Sequence, residues 1–364
     1  MSFKTGSKQN RRRRGSFLFG VINAILTLVV LAMLVIGGLV AFGAQRFYAD
    51  GPKSEQSSFV VERGASLAGV AQKLENAGLI ADRLTFQLAA MVQRKQSAIR
   101  AGEYNISPNA SMADILKEIT QGRPISYSLT IPEGFTSWQV VEKINATPNL
   151  IGKIVDIPPE GSLLPDTYSF ERGDERQKLL DQMSAAMSSQ LAQIWAGRAP
   201  DLPISSPGEL VTLASIVEKE TGVADERPMV AGVFINRLNR GMRLQSDPTI
   251  IYGITEGKAT LSRGLRRSEI DAKTPYNTYQ IDGLPVGPIA NPGIDALQAV
   301  ARPAKTDALY FVADGSGGHA FANSYAEHQR NVAAWRKVER EQAKAAQLQA
   351  QKDAQTASEA KSGQ

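Results

Sequence analysis

The feature that constrains this chain most is an uncharged apolar run near its N-terminus. The 28 residues from Phe17 to Ala44 include no charged side chain, and a helix needs only about 20 apolar residues to cross the hydrocarbon of a bilayer. The run therefore predicts a transmembrane helix over residues 16–44. A cleavable signal peptide, cut near residues 41–43, is the competing interpretation, but its apolar region would be only about 7–15 residues long.

The distribution of charge predicts how such a helix is oriented. Residues 1–15 contain six Lys or Arg and no acid, and the remaining residues contain 35 bases and 36 acids. Because the basic flank of a span stays in the cytoplasm, we expect residues 1–15 to form a cytoplasmic basic tail. The chain after about residue 45 would then lie on the far side of the membrane. Since the body of the protein is nearly neutral, the net charge of +5 predicts no nucleic-acid partner.

The residue types present exclude several chemistries. Without Cys there are no disulfides, thiolate nucleophiles or cysteine-type zinc sites. Two histidines, His319 and His328, are too few for a three-His metal centre, so we expect neither metal nor cofactor. No Gly-x-Ser-x-Gly elbow is present, which disfavours a serine hydrolase. His319 either serves a binding groove or stabilises its loop, whereas His328 lies in a helical run and is interpreted as structural.

A strand–turn–helix pattern occurs three times after a polar linker at residues 45–58. The strands begin at Phe59, Tyr104 and Leu129, and the predicted helix N-caps are Ser66, Ser111 and Thr136. The spacing is uneven, which excludes a solenoid array. The first copy resembles the start of a LysM fold, a small βααβ module that binds glycans containing N-acetylglucosamine. A LysM-like subdomain is therefore predicted over residues 59–125, with an ordinary strand–turn–helix as the alternative.

The most informative segment is a predicted helix between Ser206 and Gly222. Ser206, Pro207 and Glu209 form the pattern of a capping box with proline at the first helical position, and Gly222 is the predicted C-cap. On a helical projection Thr212 and Lys219 face solvent, but Glu218 and Glu220 fall inside the apolar arc. A carboxylate on a buried face must be paired or protonated. Either glutamate would find an ion-pair partner in Arg227, Arg237 or Arg243.

Loops downstream of this helix are rich in amides, hydroxyls and aromatic rings. These groups suit an acetylated sugar chain, which offers hydroxyls, amides and apolar ring faces but no charge. The candidate sugar-groove residues are Gln245, Ser246, Asp247, Tyr276, Asn277 and Tyr279. Asp247 has two interpretations: a second active-site carboxylate, or the cap of an Asp-Pro turn.

Several motifs in order resemble the endolytic murein transglycosylase (YceG-like) family over about residues 17–336. They are residues 133–136, 164–168, 213–221, 233–238, 244–249, 276–279, 283–285, 311–315 and 318–321. The resemblance implies that the first Glu of Glu-Lys-Glu-Thr, Glu218, is catalytic. It would protonate the glycosidic oxygen between N-acetylmuramic acid and N-acetylglucosamine. The muramyl 6-hydroxyl would then close on C1, with the same residue acting as base.

The resemblance also implies an architecture and a role. The fold would be α+β, with a catalytic domain over residues 126–337 and a low-complexity tail over 338–364 that forms a frayed helix and then becomes disordered. The protein would be anchored in the inner membrane and cut nascent peptidoglycan strands internally in the periplasm, ending their elongation beside peptidoglycan synthases. A non-catalytic glycan-binding tether and a hydrolase of the same substrate remain the alternatives.

Helix periodicity does not choose between the two glutamates of the Glu-Lys-Glu-Thr run. The small side chain of Ala214, one turn before Glu218, would leave room for substrate. Glu220 is close to Gly222, so we expect it to be nearer solvent and to pair with an arginine such as Arg227. Both points favour Glu218 as the proton donor, and burial would raise its pKa as a general acid requires.

Overall fold

The computed structural model describes the backbone of residues 9–362 and the side-chain environments of residues 19–353. Most of the predicted basic tail, residues 1–8, lies outside the described residues. The fold is mixed α+β, as predicted, and divides into two compact units. The N-terminal unit extends to Ser126 and includes Glu171–Gly173, and the C-terminal unit holds the rest.

The apolar run forms the middle of one long helix, α1, at Gln9–Tyr48. Its segment Phe19–Tyr48 is long and apolar enough to cross a membrane, and among the described residues no other helix is. The side chains of this segment are exposed almost throughout, but Phe47 near its end is buried in the core of the N-terminal unit. A membrane span and a signal sequence both fit such a helix.

The remainder of the N-terminal unit is a β–α–α–β arrangement followed by a further helix. Its elements are β1 (Ser57–Val61), α2 (Leu67–Asn76), α3 (Arg83–Val92), β2 (Gly102–Ile106) and α4 (Met112–Gln121). The two strands pair antiparallel, with Ser57 opposite Ile106. Apolar side chains from all five elements, including Leu74, Phe86 and Tyr104, make one buried core.

The C-terminal unit carries the Glu-Lys-Glu-Thr run that includes Glu218. Its elements are β3 (Ser126–Thr130), α5 (Ser137–Ala146), β4 (Thr167–Glu171), α6 (Arg176–Ala196), α7 (Pro207–Glu220), α8 (Arg227–Asn239), α9 (Asp247–Thr255), α10 (Arg267–Asp271), α11 (Ile294–Ala301), β5 (Tyr310–Ala313), β6 (His319–Ala322) and α12 (Tyr325–Ser362). Strands β3 and β4 form one two-stranded sheet, and β5 and β6 form another. A large core surrounds α7, which packs against α6, α8, α9 and α11.

The predicted helix N-caps are confirmed in all three strand–turn–helix copies. Ser66 Oγ accepts a hydrogen bond from the Gly69 N–H, three residues into α2. Ser111 is the N-cap of α4 and Thr136 is the N-cap of α5, each in a reciprocal capping box. These caps stabilise helices whose first N–H groups have no intrahelical acceptor.

Helix α7 differs from its prediction at three points. Ser206 caps it as expected, but the Glu209 carboxylate accepts from Ser205 rather than Ser206, so the capping box is incomplete. The helix ends at Glu220 with Thr221 as an extended C-cap, so the prediction of Gly222 was wrong. Thr212 was predicted to face solvent and is instead buried, because neighbouring helices enclose α7 on several sides and not on one face only.

The C-terminal segment is helical, as predicted, but within the described residues it does not give way to the expected disordered tail. Helix α12 continues without a break to Ser362. Its distal half is rich in Ala, Gln, Lys and Glu, which are strong helix formers even without packing. The scarcity of large apolar residues indicated that this segment does not pack, but it did not indicate that the helix ends.

Candidate active site

The Glu218 carboxylate is almost completely buried in the last turn of α7, with 5% of its side chain exposed. Its Oε2 accepts a hydrogen bond from the Gly293 N–H at 2.9 Å, and its Oε1 accepts one from Arg227 Nη2 at 3.0 Å. Burial is the main reason that the pKa of Glu218 is raised, and the nearby negative charge of Glu133 adds to the effect. The Gly293 and Arg227 contacts oppose the shift without reversing it.

Arg227, the first residue of α8, joins three carboxylates. Its Nη2 lies 2.8 Å from Glu133 Oε2 as well as 3.0 Å from Glu218 Oε1, and its Nη1 lies 3.5 Å from Asp295 Oδ2. The guanidinium is buried, yet its Nε has no hydrogen-bond partner among the described residues. The single charge of Arg227 is therefore shared by three carboxylates, which weakens its interaction with Glu218.

Two loops position the partners of Glu218. The Gly134 N–H donates to the Asn291 carbonyl at 3.0 Å, and the Asn291 N–H donates to the Phe135 carbonyl at 2.9 Å. These reciprocal bonds fasten the turn that carries Glu133 to the loop that carries Gly293. A Cβ atom at Gly293 would collide with the Glu133 carboxylate, so a larger residue at this position would displace that side chain.

Glu160 is a buried carboxylate that sequence analysis missed. It accepts hydrogen bonds from the Ser137 N–H at 2.7 Å and from Asn291 Nδ2 at 3.2 Å, and it is also bonded to Tyr252. Burial raises the pKa of Glu160. Its segment, Pro-Glu-Gly, has no periodic pattern that would have indicated an inward direction. Glu133, by contrast, lies in a quoted family motif, which was the only available signal for it.

Glu220 is held in different surroundings from Glu218. Its carboxylate accepts a hydrogen bond from Ser246 Oγ, and burial raises its pKa. The expectation that Glu220 is near solvent and pairs with Arg227 was wrong, since Arg227 binds Glu218 instead. Residues two apart on a helix point about 200° apart, so the two carboxylates enter opposite flanks of α7.

The predicted sugar-groove residues are brought together, and Ser246 connects them to Glu220. Ser246 is buried, and its N–H donates to Thr278 Oγ1 at 2.9 Å. The Tyr279 hydroxyl donates to Asp247 Oδ1 at 2.7 Å, and burial followed by this contact raises the pKa of Tyr279. Asp247 itself is exposed and is the first residue of α9, with Ser246 as the N-cap. The predicted Asp-Pro cap is thus displaced by one residue.

The remaining three groove candidates differ in accessibility. Gln245 is exposed and has a positive φ of 54°, a left-handed conformation uncommon outside glycine. The Tyr276 ring packs against Tyr252 with centroids 4.9 Å apart. Asn277 is fully buried, and its amide donates to three backbone carbonyls of residues 269–272. Asn277 therefore stabilises the loop conformation, whereas Gln245 and Tyr276 remain accessible for contact with a ligand.

His319 stabilises a loop rather than standing free. The ring Nδ1 of His319 lies 2.7 Å from Glu226 Oε2, and the His319 backbone N–H donates to Glu226 Oε1 at 2.8 Å. Although burial alone would raise the pKa of Glu226, these contacts with His319 hold it below its usual value. Within the described residues no group of His, Asp and Glu has the arrangement of a metal site.

Comparison with known proteins shows which family this chain belongs to. The model of the YceG-like family matches residues 59–334. The chain belongs to the YceG-like family. The match includes Glu218, Arg227, Gly293 and the loops described above.

The relatives of this YceG-like chain include named enzymes. Endolytic murein transglycosylases from two Streptococcus pneumoniae strains, D39 and R6, are each 31% identical over 84% of this chain and 64% of their own length. The chain thus spans less than two thirds of these relatives. The endolytic murein transglycosylase of Bacillus subtilis 168 is 27% identical over 82% of this chain and 90% of its own length. A crystal structure of a yceG-like protein from Listeria monocytogenes is 27% identical, covers 76% of this chain and 98% of its own, and superimposes with a TM-score of 0.49.

Proposed function

We propose that this protein is a lytic transglycosylase that cleaves peptidoglycan strands internally and leaves 1,6-anhydro-muramyl ends. The observation that carries the proposal is the buried Glu218 carboxyl, with its raised pKa, at the family's Glu-Lys-Glu-Thr motif. Relatives named endolytic murein transglycosylase support the same reaction. The bond cleaved would be the β-1,4 link between N-acetylmuramic acid and N-acetylglucosamine.

A single carboxyl is sufficient for this reaction. Protonated Glu218 gives its proton to the glycosidic oxygen as the bond from that oxygen to C1 breaks. The resulting carboxylate is stabilised by the Gly293 N–H and by Arg227. The muramyl 6-hydroxyl then forms the new bond to C1 and gives its proton back to Glu218. No water is consumed and Glu218 ends protonated, unlike hydrolysis by the usual carboxylate pair.

Glu133 raises the pKa of Glu218 in this mechanism, and its carboxylate binds the same Arg227 guanidinium. Its carboxylate competes with Glu218 for Arg227 Nη2 and also disfavours a second negative charge nearby. Both effects keep Glu218 protonated at higher pH than an isolated salt bridge to Arg227 would allow. Glu220 has one bond to Ser246 and lies on the opposite flank, so we assign it a structural role.

We further propose that α1 anchors the protein in the inner membrane with residues 1–15 in the cytoplasm and the remainder in the periplasm. The exposed apolar helix and the basic N-terminus support this arrangement. An anchored enzyme would meet strands as they emerge from peptidoglycan synthases and would end their elongation. The β–α–α–β order of the N-terminal unit supports a LysM-like glycan-binding subdomain over residues 59–125, followed by a catalytic domain over 126–337.

That same subdomain supports a second candidate, a non-catalytic tether that only binds glycan. The two functions are separated by incubating purified glycan strands with the protein and measuring the mass of the product ends. A transglycosylase yields anhydro ends, which are lighter by one water than the ends left by a hydrolase. A tether yields no new ends. Unchanged strand length with wild-type protein would refute the proposed enzyme, and water-containing ends would replace it with a hydrolase.

A further inference from the structure

A polar cavity of about 660 Å³ lies beside Arg227 in the C-terminal unit. It is bounded by the end of α6, the start of α8 and helix α11. The side chains that give it its character are Gln193, Asp225, Asp295, Gln298 and Arg302. Among the described residues that line it, none is aromatic.

Arg227 connects this cavity to Glu218. Its Nη2 binds the Glu218 carboxylate, while the same side chain lines the cavity. The guanidinium is 9% exposed, and its Nε lacks a hydrogen-bond partner among the described residues. The shared arginine therefore places the cavity next to the carboxyl that the proposed function assigns to catalysis.

We propose that this cavity binds the peptide branch carried by muramyl sugars, so that the protein selects peptide-bearing over naked strands. The inference rests on the proposed function above. The branch leaves the muramyl ring at C3, close to the C1 atom where the bond is broken, and a subsite next to Glu218 has the corresponding position. The side-chain amides of Gln193 and Gln298, which line the cavity, would pair with peptide groups of the branch.

The charges of the cavity suit a peptide better than a sugar ring. Asp225 and Asp295 are exposed carboxylates that can receive a primary amine, and exposed Arg302 can receive a carboxylate. Muramyl peptides carry both kinds of group. A neutral sugar ring would instead use an aromatic face, which this cavity lacks among its described lining residues, whereas Tyr276 and Tyr279 lie with the Ser246 loops.

The test compares strands with their peptides and the same strands after an amidase has removed them. The kcat/KM ratio of the two substrates is measured for the wild type and for Gln193→Ala, Asp225→Asn and Gln298→Ala. Gln182→Ala, an exposed residue of α6 that does not line the cavity, is the matched control. Binding of a soluble disaccharide-peptide and of the peptide-free disaccharide is measured in parallel by titration calorimetry, which requires no turnover.

We expect the wild type and Gln182→Ala to favour peptide-bearing strands, and each cavity variant to lower that ratio by about tenfold, the loss of one good hydrogen bond to a charged or buried group. Equal rates on both strands in the wild type would overturn the proposal. Cavity variants that lower kcat/KM equally for both substrates would indicate that the cavity binds the sugar, which would also overturn the proposal. If neither strand is cleaved, the proposed function fails and the titration tests the cavity proposal by itself. Selective binding of the peptide-bearing disaccharide, lost in the cavity variants, would support the proposed peptide site. Equal binding of the two disaccharides would refute it.

Discussion

Glu133 and Glu218 bind the same nitrogen of Arg227, whose Nη2 lies 2.8 Å from the first carboxylate and 3.0 Å from the second. The two glutamates are far apart in sequence, and the reciprocal backbone bonds between Gly134, Phe135 and Asn291 bring their loops together. Burial raises the pKa of Glu218 most, and the like charge of Glu133 on the shared cation raises it further. This relationship leads to the first prediction.

Glu133→Gln should move the alkaline limb of the pH–rate profile to lower pH. Removing the Glu133 charge lowers the pKa of Glu218, because Coulomb repulsion is lost and Arg227 Nη2 no longer divides its bonds between two carboxylates. In the proposed mechanism activity requires protonated Glu218 and is lost as pH rises through that pKa, so it should be lost at lower pH in the variant. Rates of anhydro-end formation across pH measure this. The exposed Glu142→Gln is the control, and an unmoved or raised limb for Glu133→Gln contradicts the assignment.

Glu218→Gln should lower the turnover of glycan strands by 10²–10⁴-fold, the usual contribution of general acid catalysis. Glu220→Gln should lower it by less than about tenfold, because a glutamine can still accept from Ser246. Turnover is compared after thermal melts have shown both variants to be folded. Near wild-type anhydro-end formation by Glu218→Gln, together with its loss in Glu220→Gln, would mean that Glu220 is the donor.

Gly293→Ala should displace the Glu133 carboxylate, because the added Cβ occupies its position. We expect little change in stability, because only the end of the flexible, partly exposed Glu133 side chain has to move. The pH–rate profile should move in the same direction as that of Glu133→Gln. Gly222→Ala is the matched control, since nothing lies near its Cβ position. Chemical denaturation and the pH profile are the measurements, and identical behaviour of the two glycine variants would contradict the proposed contact.

Asn277→Ala should lower stability more than it changes substrate binding. Its side-chain amide donates to the carbonyls of Glu269, Ile270 and Ala272. Gln280 Nε2 still reaches the Ile270 carbonyl, so the other two lose this donor, at a cost of about 2 kcal/mol. A fall in Tm of roughly 5 °C is expected for a unit of this size, with little effect from the exposed Asn239→Ala. A large rise in KM at unchanged Tm would instead restore Asn277 as a sugar contact.

A reporter that is active only in the periplasm, fused after Asp50, should give a signal. The basic N-terminus and the uncharged span predict this orientation. Silence of the fusion would reverse the topology. Protein sequencing of the mature N-terminus separates the anchor from a signal peptide, because a start near Gln45 would show cleavage.

Local rules were sufficient wherever a structure depends on residues close in the chain. The N-caps Ser66, Ser111 and Thr136 were predictable because a cap bonds an N–H only three residues away. The long apolar helix α1 was predictable because the length and composition of an apolar run are local properties of the sequence. The family motifs directed attention to Glu218 from sequence as well.

The tertiary structure alone decided what surrounds each carboxylate. A helical projection places Glu218 and Glu220 in one apolar arc, but it does not contain the loops that cover each flank of α7. Thr212 is buried for the same reason, since several helices pack around α7. Glu133, Glu160 and Gly293 reach Glu218 or its supporting loops only through contacts between residues distant in sequence. Periodicity reports the direction of a side chain on its own element, whereas burial, ion pairing and pKa depend on what folds against it.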